Sequence, residues 1–219
     1  MENTHANTSN NTNVSSLQKS IAIVYKSKYG ATKDYAKWLK KALITRQIPC
    51  DIYEADKASM HDLEGYGAVV FAGGIYGGEL SIAKALKDFA KYLAKRLVNH
   101  TTSKQKEATT QGTQSTPKIY CILIGLSSSQ SPRQSTLDKN FTLNEQEGIE
   151  FHFLQGRLDF GKLDNADRER MNAYREMLRA KASKTEEQKA LLENEAVDFT
   201  RRDSLKCVID SLVGENFLA

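Results

Sequence analysis

Ile21-Ala-Ile-Val-Tyr-Lys-Ser-Lys-Tyr-Gly-Ala-Thr32 decides the fold. The apolar run Ile21 to Tyr25 has no polar alternation, the pattern of a strand buried on both faces of a parallel sheet. It stops at a short loop whose one glycine is Gly30. From Thr32 onward Tyr35, Ala36, Leu39, Ala42 and Leu43 recur at helical spacing, with Lys33, Lys37, Lys40 and Lys41 on the opposite face. Strand, loop and helix in this order make a phosphate-binding arrangement. The loop amides and the positive end of the helix dipole face the anion, so no dedicated arginine is needed.

The same pattern recurs along the chain. Cys50-Asp-Ile-Tyr-Glu-Ala55 alternates and reads as a second strand suited to a sheet edge. Ala68-Val-Val-Phe-Ala72 is another buried run, stopping at Gly73-Gly-Ile-Tyr-Gly-Gly78, and Ile82, Leu86, Phe89, Ala90, Leu93 and Leu97 mark the helix behind it. Ile119 to Ile124 is a further buried strand, ending in Gly125-Leu-Ser-Ser-Ser129 and followed by a polar connection through Pro132 to about Asn144. Phe151 to Leu154 is the last strand, closed by Gln155-Gly-Arg-Leu-Asp-Phe160. Asp164 or Asn165 caps a helix through Met171, Tyr174 and Leu178. The charged stretch Lys181 to Glu195 reads as a solvated helical extension, and Thr200 as the N-cap of a final helix with the stripe Leu205, Val208, Ile209, Leu212 and Val213. Strands alternating with helices imply an α/β, three-layer, doubly wound sandwich with right-handed crossovers. Such sheets bind ligands beyond the carboxyl ends of their strands, where the loops at 26–32, 73–80 and 125–131 would converge on one crevice.

The 219 residues suffice for one domain, expected over 20–215. Residues 1–19, rich in Asn, Thr and Ser with neither a basic start nor an apolar run, are expected as a disordered tail and fit no secretory signal or transit peptide. Residues 99–117 lack any period and read as a mobile insertion. A net charge of +4, from 31 Lys+Arg against 27 Asp+Glu, is too weak and too dispersed to argue for nucleic acid. No apolar run approaches the roughly 20 residues of a membrane span. Cys50, Cys121 and Cys207 have no metal-binding spacing and read as free thiols of a reducing, cytoplasmic compartment. No metal site is expected.

The first loop fixes the ligand class. No Gly-Lys-Ser/Thr triplet follows it, and Gly30 alone does not make GxGxxG. Ala72-x-Gly74-x-x-Gly77 is a weaker dinucleotide pattern, but a helix stands where a strand ending in an acidic residue is needed. Ser27-x-x-Gly30-x-Thr32 resembles the FMN phosphate loop of flavodoxins, whose pattern is Thr/Ser-x-Thr/Ser-Gly-x-Thr, and the order of the two later loops is also similar. The chain resembles in particular the flavodoxin-domain proteins that include menaquinone-dependent protoporphyrinogen IX dehydrogenase. It shares with them the first strand and loop, the Ile75-Tyr76-Gly77 element and the turn Gly156 to Phe160 before an Asp/Arg-rich helix, over about residues 20–213.

This resemblance implies a five-stranded parallel sheet in the order 2-1-3-4-5 and FMN as cofactor. It implies a phosphate on the hydroxyls of Ser27 and Thr32 and the amides of Lys28, Tyr29, Gly30, Ala31 and Thr32. Tyr29 departs from the pattern, which has a hydroxyl amino acid there. The resemblance puts Gly73, Gly74, Ile75, Tyr76, Gly77 and Gly78 along the isoalloxazine ring, with Tyr76 as candidate stacking residue, and the amides of Leu126, Ser127, Ser128 and Ser129 at the other ring edge. No catalytic residue is assigned. Simpler readings stand beside these: Ser27 and Thr32 as helix caps, Tyr76 as a packed loop aromatic, His61 and His152 as surface or structural residues, and Arg157 and Asp159, which stand where they could touch substrate, as a local ion pair at a turn.

Two functions follow from the resemblance. One is a quinone-linked FMN oxidoreductase of the protoporphyrinogen-oxidising type, acting on a quinone or small organic substrate; the other is an electron carrier that docks redox proteins. A cofactor-free interaction domain is a third reading, against which the intact first loop argues. Flavodoxin carriers as a family are acidic, so the basic balance here favours the first and would suit peripheral contact with the inner face of a membrane. The sequence leaves the oligomeric state open.

Overall fold

The computed structural model describes residues 20–103, 116–127 and 131–214, with only the backbone at 99–103 and 131–132. Its centre is the strand of the opening stretch, β1 (Ile21–Lys26). Around it run β2 (Cys50–Glu54), β3 (Ala68–Tyr76), β5 (Lys118–Gly125) and β6 (Ile149–Gln155), all parallel, in the order β2-β1-β3-β5-β6. Counting parallel strands alone, this is the expected 2-1-3-4-5 order. The sixth strand, β4 (Glu79–Leu80), turns back antiparallel on β3.

Alternation along β1 divides the core. Ile21, Ile23 and Tyr25 face α1 (Ala31–Thr45) and α7 (Lys206–Val213) through Tyr35, Leu39, Leu43, Val208 and Leu212. Ala22 and Val24 face the other layer, α2 (Ala83–Ser103) and α3 (Ser131–Asn140), through Leu86, Phe89 and Leu137. Both faces are covered, which is why the central strands carry no polar alternation. Cys50 and Cys121 are buried free thiols, and Cys207 is exposed.

The structure differs from the sequence expectation in four places. β3 does not stop at Ala72 but continues through Gly73 and Gly74 to Tyr76, because β4 hydrogen-bonds its end. The polar connection after Pro132 is helical: α3 is followed by the short α4 (Leu143–Gln146), which Thr142 and Glu145 cap reciprocally. Lys181–Glu195 is no solvated extension. It contains α6 (Glu186–Glu193), whose Leu191 is 2% exposed, and beyond it β8 (Ala196–Asp198) pairs with β7 (Arg157–Asp159). Finally, a 3-10 turn at Arg202–Leu205 precedes α7, and the Thr200 hydroxyl donates to Asp198 (2.6 Å) instead of capping a helix.

These pieces make a third core. Leu158, Phe160 and Leu163 pack with Leu178 of α5 (Asn165–Ala180) and with Leu191. Arg175 ties it together: 8% exposed, it lies 3.5 Å from the Phe160 ring centre and donates to the carbonyls of Leu191 (2.8 Å) and Asn194 (2.6 Å) at the C-terminal end of α6. The expected tail at 1–19, most of the expected insertion at 99–117, and Ser128 and Ser129 lie outside the described residues; α2 runs through Ser103.

Candidate functional site

At the carboxyl end of β1 the chain turns sharply. The Ser27 Oγ accepts from the Gly30 amide (3.1 Å), and Gly30 takes φ 91°, a left-handed conformation open to glycine. Gly30 stands at the N-cap of α1 and, having no side chain, makes no side-chain cap there. Thr32, in that turn, is 1% exposed.

The two bulky residues of the loop lean toward α5. Lys28 Nζ pairs with Asp164 (2.6 Å) and with Asp167, and the Tyr29 hydroxyl donates to Asp167 (2.6 Å). Asp167, 5% exposed, also receives Arg170 (2.8 Å). Burial pushes the Asp167 carboxyl up, but the donors Lys28, Tyr29 and Arg170 outweigh it and hold the group below the usual carboxylate range. The same carboxylates raise Lys28, Asp164 acting most strongly. One buried acid thus fastens the first loop to α5.

An arginine also reaches this loop. A Cβ built on Gly30 would lie 3.2 Å from Arg157 Nη2, although the two residues are far apart in the chain. Arg157 pairs with Asp34, one turn into α1, and with Asp198 of β8 (3.4 Å). At this turn Arg157 pairs across the fold, while Asp159 makes the local ion pair, with Lys162 (2.7 Å).

Gly73–Gly78 forms a hairpin tip. Gly77 (φ 59°) and Gly78 (φ 81°) both take positive φ, the requirement of a tight turn of type I′ between β3 and β4. Two residues at the end of α3 pin it: Lys139 Nζ donates to the Gly77 carbonyl (2.7 Å), while Asn140 donates to the Gly78 carbonyl (2.8 Å) and accepts from the Leu80 amide (2.8 Å). Gly73 and Gly74 have steric reasons. A Cβ on Gly73 would meet Ile82 at 2.7 Å, and one on Gly74 would meet the Tyr76 hydroxyl at 2.5 Å, since that ring folds back over the strand. Tyr76 stands edge-on to Tyr29, with ring centres 5.7 Å apart, and Lys28 Nζ is 5.6 Å from its centre. Ile75 is turned into the core on the α2 and α3 side.

The third loop completes the arrangement. The Gly125 carbonyl accepts from the Gly156 amide (2.7 Å), Leu126 packs with Tyr29 against the third core, and Ser127 is exposed. The Ser81 hydroxyl links the other two loops, donating to the Lys26 carbonyl (3.3 Å) and accepting from the Gly74 amide (3.0 Å). The structure thus brings the first, second and third loops together at the carboxyl ends of the strands, with α5 beside them. Asp167 and Arg170 escaped the sequence reading, because nothing local in an Asp/Arg-rich helix marks which residues turn inward. His61 is exposed and pairs with Glu64, and His152 stacks on Tyr120. Among the described residues no group of His, Cys, Asp and Glu could hold a metal ion.

A family model described as a flavodoxin domain matches residues 22–185 of the 219. The chain belongs to the flavodoxin-domain family. Among curated proteins none matches it by sequence. Similar solved structures include the rubredoxin:oxygen oxidoreductase of Desulfovibrio gigas (11% identity, TM-score 0.41, covering 69% of this chain and 33% of that one). Flavodoxin 2 of Bacillus cereus is similar at 16% identity and a TM-score of 0.35, with 71% of this chain and 94% of that one covered. The Trp repressor binding protein of Bacillus subtilis is similar at 17% identity and a TM-score of 0.36, with coverage of 62% and 82%. The chain spans about a third of the oxidoreductase's length.

Flavodoxin domains carry FMN, and the chain is a flavodoxin-like, FMN-binding redox protein. The first loop suits the phosphate of that cofactor: a left-handed glycine where a side chain would fill the cradle, an uncapped helix start, and a guanidinium beside it. Among the described residues no helix is long and apolar enough to cross a membrane.

Proposed function

We propose that the protein is an FMN-dependent oxidoreductase of the quinone-linked, protoporphyrinogen-oxidising type. In this reading the hydroxyls of Ser27 and Thr32 and the amides of Lys28 to Thr32 hold the phosphate, and the ring lies between Gly73–Gly78 and Leu126–Ser129. Bound FMN supplies the exchange of one or two electrons with a substrate. The chain's own part is to bind, orient and shield. The pinned hairpin at Gly77 and Gly78 sets the height of one wall, and Tyr29 and Tyr76 give it an aromatic surface.

The observation that carries the reading is the third core, packed on Tyr29 of the first loop and Leu126 of the third. It adds a wall to the crevice, which suits a small substrate held against a cofactor and adds nothing a carrier needs for exchange at a docking face. Lys139 beside the crevice suits an anionic substrate, and the balance of +4 suits an anionic membrane surface on the cytoplasmic side.

Anaerobic, photoreduced holoprotein mixed with a soluble quinone, and oxidised holoprotein mixed with protoporphyrinogen, test it. Saturable reoxidation by the quinone together with appearance of porphyrin fluorescence is expected. Electron exchange with a redox protein and with neither small molecule would make the protein a carrier instead.

A further inference from the structure

We propose that Arg157 is the residue that recognises the FMN phosphate as a charge, that Asp198 holds it in place beside the loop, and that Asp34 competes with the phosphate for it. The inference rests on the proposed location of the phosphate at the first loop and goes beyond it, since that reading draws only on hydroxyls and amides.

The loop's hydroxyls are fewer than its sequence suggests. Tyr29, which stands where the flavodoxin pattern has a short hydroxyl residue, has its phenol turned away to Asp167. The Ser27 Oγ accepts from the Gly30 amide, so that amide is engaged within the loop. The lysines of residues 26–32 are both engaged, Lys26 by Asp56 (2.9 Å) and Lys28 by Asp164 and Asp167 at the start of α5. A phosphate at the start of α1 therefore meets amides, at most two short hydroxyls, and no cation from the loop.

Arg157 fills that gap. Its Nη2 lies 3.2 Å from the Cβ position of Gly30, the residue at the helix N-cap. Its backbone is fixed on both sides: the Gly156 amide donates to the Gly125 carbonyl (2.7 Å), the Phe199 amide donates to the Gly156 carbonyl (3.0 Å), and β7 is paired with β8. Asp34 pairs with its Nη2 and Asp198 with its Nη1. A guanidinium carries five N–H donors, so both carboxylates can stay while others turn to a phosphate oxygen. Asp34 sits on Nη2, the nitrogen nearest Gly30, so it competes with the phosphate for that donor, while Asp198 anchors the other nitrogen.

The test compares FMN with riboflavin, which lacks the phosphate, by quenching of flavin fluorescence on titration into apoprotein. Wild type should prefer FMN, Arg157→Gln should lose about 10-fold or more of that preference with riboflavin affinity unchanged, and Arg157→Lys should keep most of it. Asp34→Asn, which leaves the third core and the loop amides intact, should raise the preference by removing the competing carboxylate, and it serves where Arg157→Gln fails to fold. A wild type that binds FMN but shows the same FMN-to-riboflavin ratio in these variants overturns the role of Arg157 and leaves the location of the cofactor standing. A wild type that takes up no FMN overturns both.

Discussion

Asp167 receives Lys28, Tyr29 and Arg170 while being 5% exposed, and it joins two segments distant in sequence. Replacing it with asparagine removes the charge and leaves the three donors weakly matched, at a cost of about 1–2 kcal/mol at neutral pH. Because its folded pKa lies below the unfolded value of about 3.9, the stabilisation is fully present above that value and is lost as pH falls through the lower one. Urea melts should therefore show a wild-type advantage over Asp167→Asn that is constant from neutral pH down to about pH 5 and shrinks below about pH 4. An advantage that grows on acidification contradicts the assignment. At Gly30 the positive φ and the nearby guanidinium both oppose a side chain. Gly30→Val should cost about 1–3 kcal/mol and abolish FMN uptake, checked by melting and by fluorescence titration.

At the scale of elements, Asn140 makes two of the three hydrogen bonds by which the end of α3 pins the hairpin of β3 and β4. Asn140 satisfies the Gly78 carbonyl and the Leu80 amide together, and Leu80 is 5% exposed. Asn140→Ala should destabilise by about 1–3 kcal/mol and speed amide exchange at Gly78 to Leu80, which hydrogen exchange by NMR would report. The central strands were legible in the sequence because a strand covered on both faces can hold little but apolar residues, as Ile21–Tyr25, Ala68–Ala72 and Ile119–Ile124 do. The end of β3 was not. Gly73 and Gly74 carry no β propensity, and their reasons to be glycine, Ile82 and the folded-back Tyr76, lie outside any local window. α3 was missed because its inward residues, Thr136 and Leu137, are too few to set a period, and Leu191 because it is a buried leucine in a charged stretch. Of the site, the three loops could be placed from their glycines and hydroxyls. The approach of Arg157 to Gly30 and of Asp167 to Tyr29 follows only from tertiary packing.

Across the whole molecule, the described residues form three apolar cores. Two lie on the faces of the sheet; the third, around Leu158, Phe160, Leu178 and Leu191, touches the site through Tyr29 and Leu126. Leu191→Ala should cost about 2–4 kcal/mol and remove exchange protection from α5, α6 and the β7–β8 pair, while β1 and β3 keep theirs. Equal loss in all strands would show that the three cores unfold as one. Whether these loops form an FMN site is read from the cofactor itself. Purified protein, or apoprotein given FMN, should be yellow and release FMN and not FAD on denaturation. A folded, colourless protein that leaves the fluorescence of added FMN unquenched would mean that these loops form no FMN site.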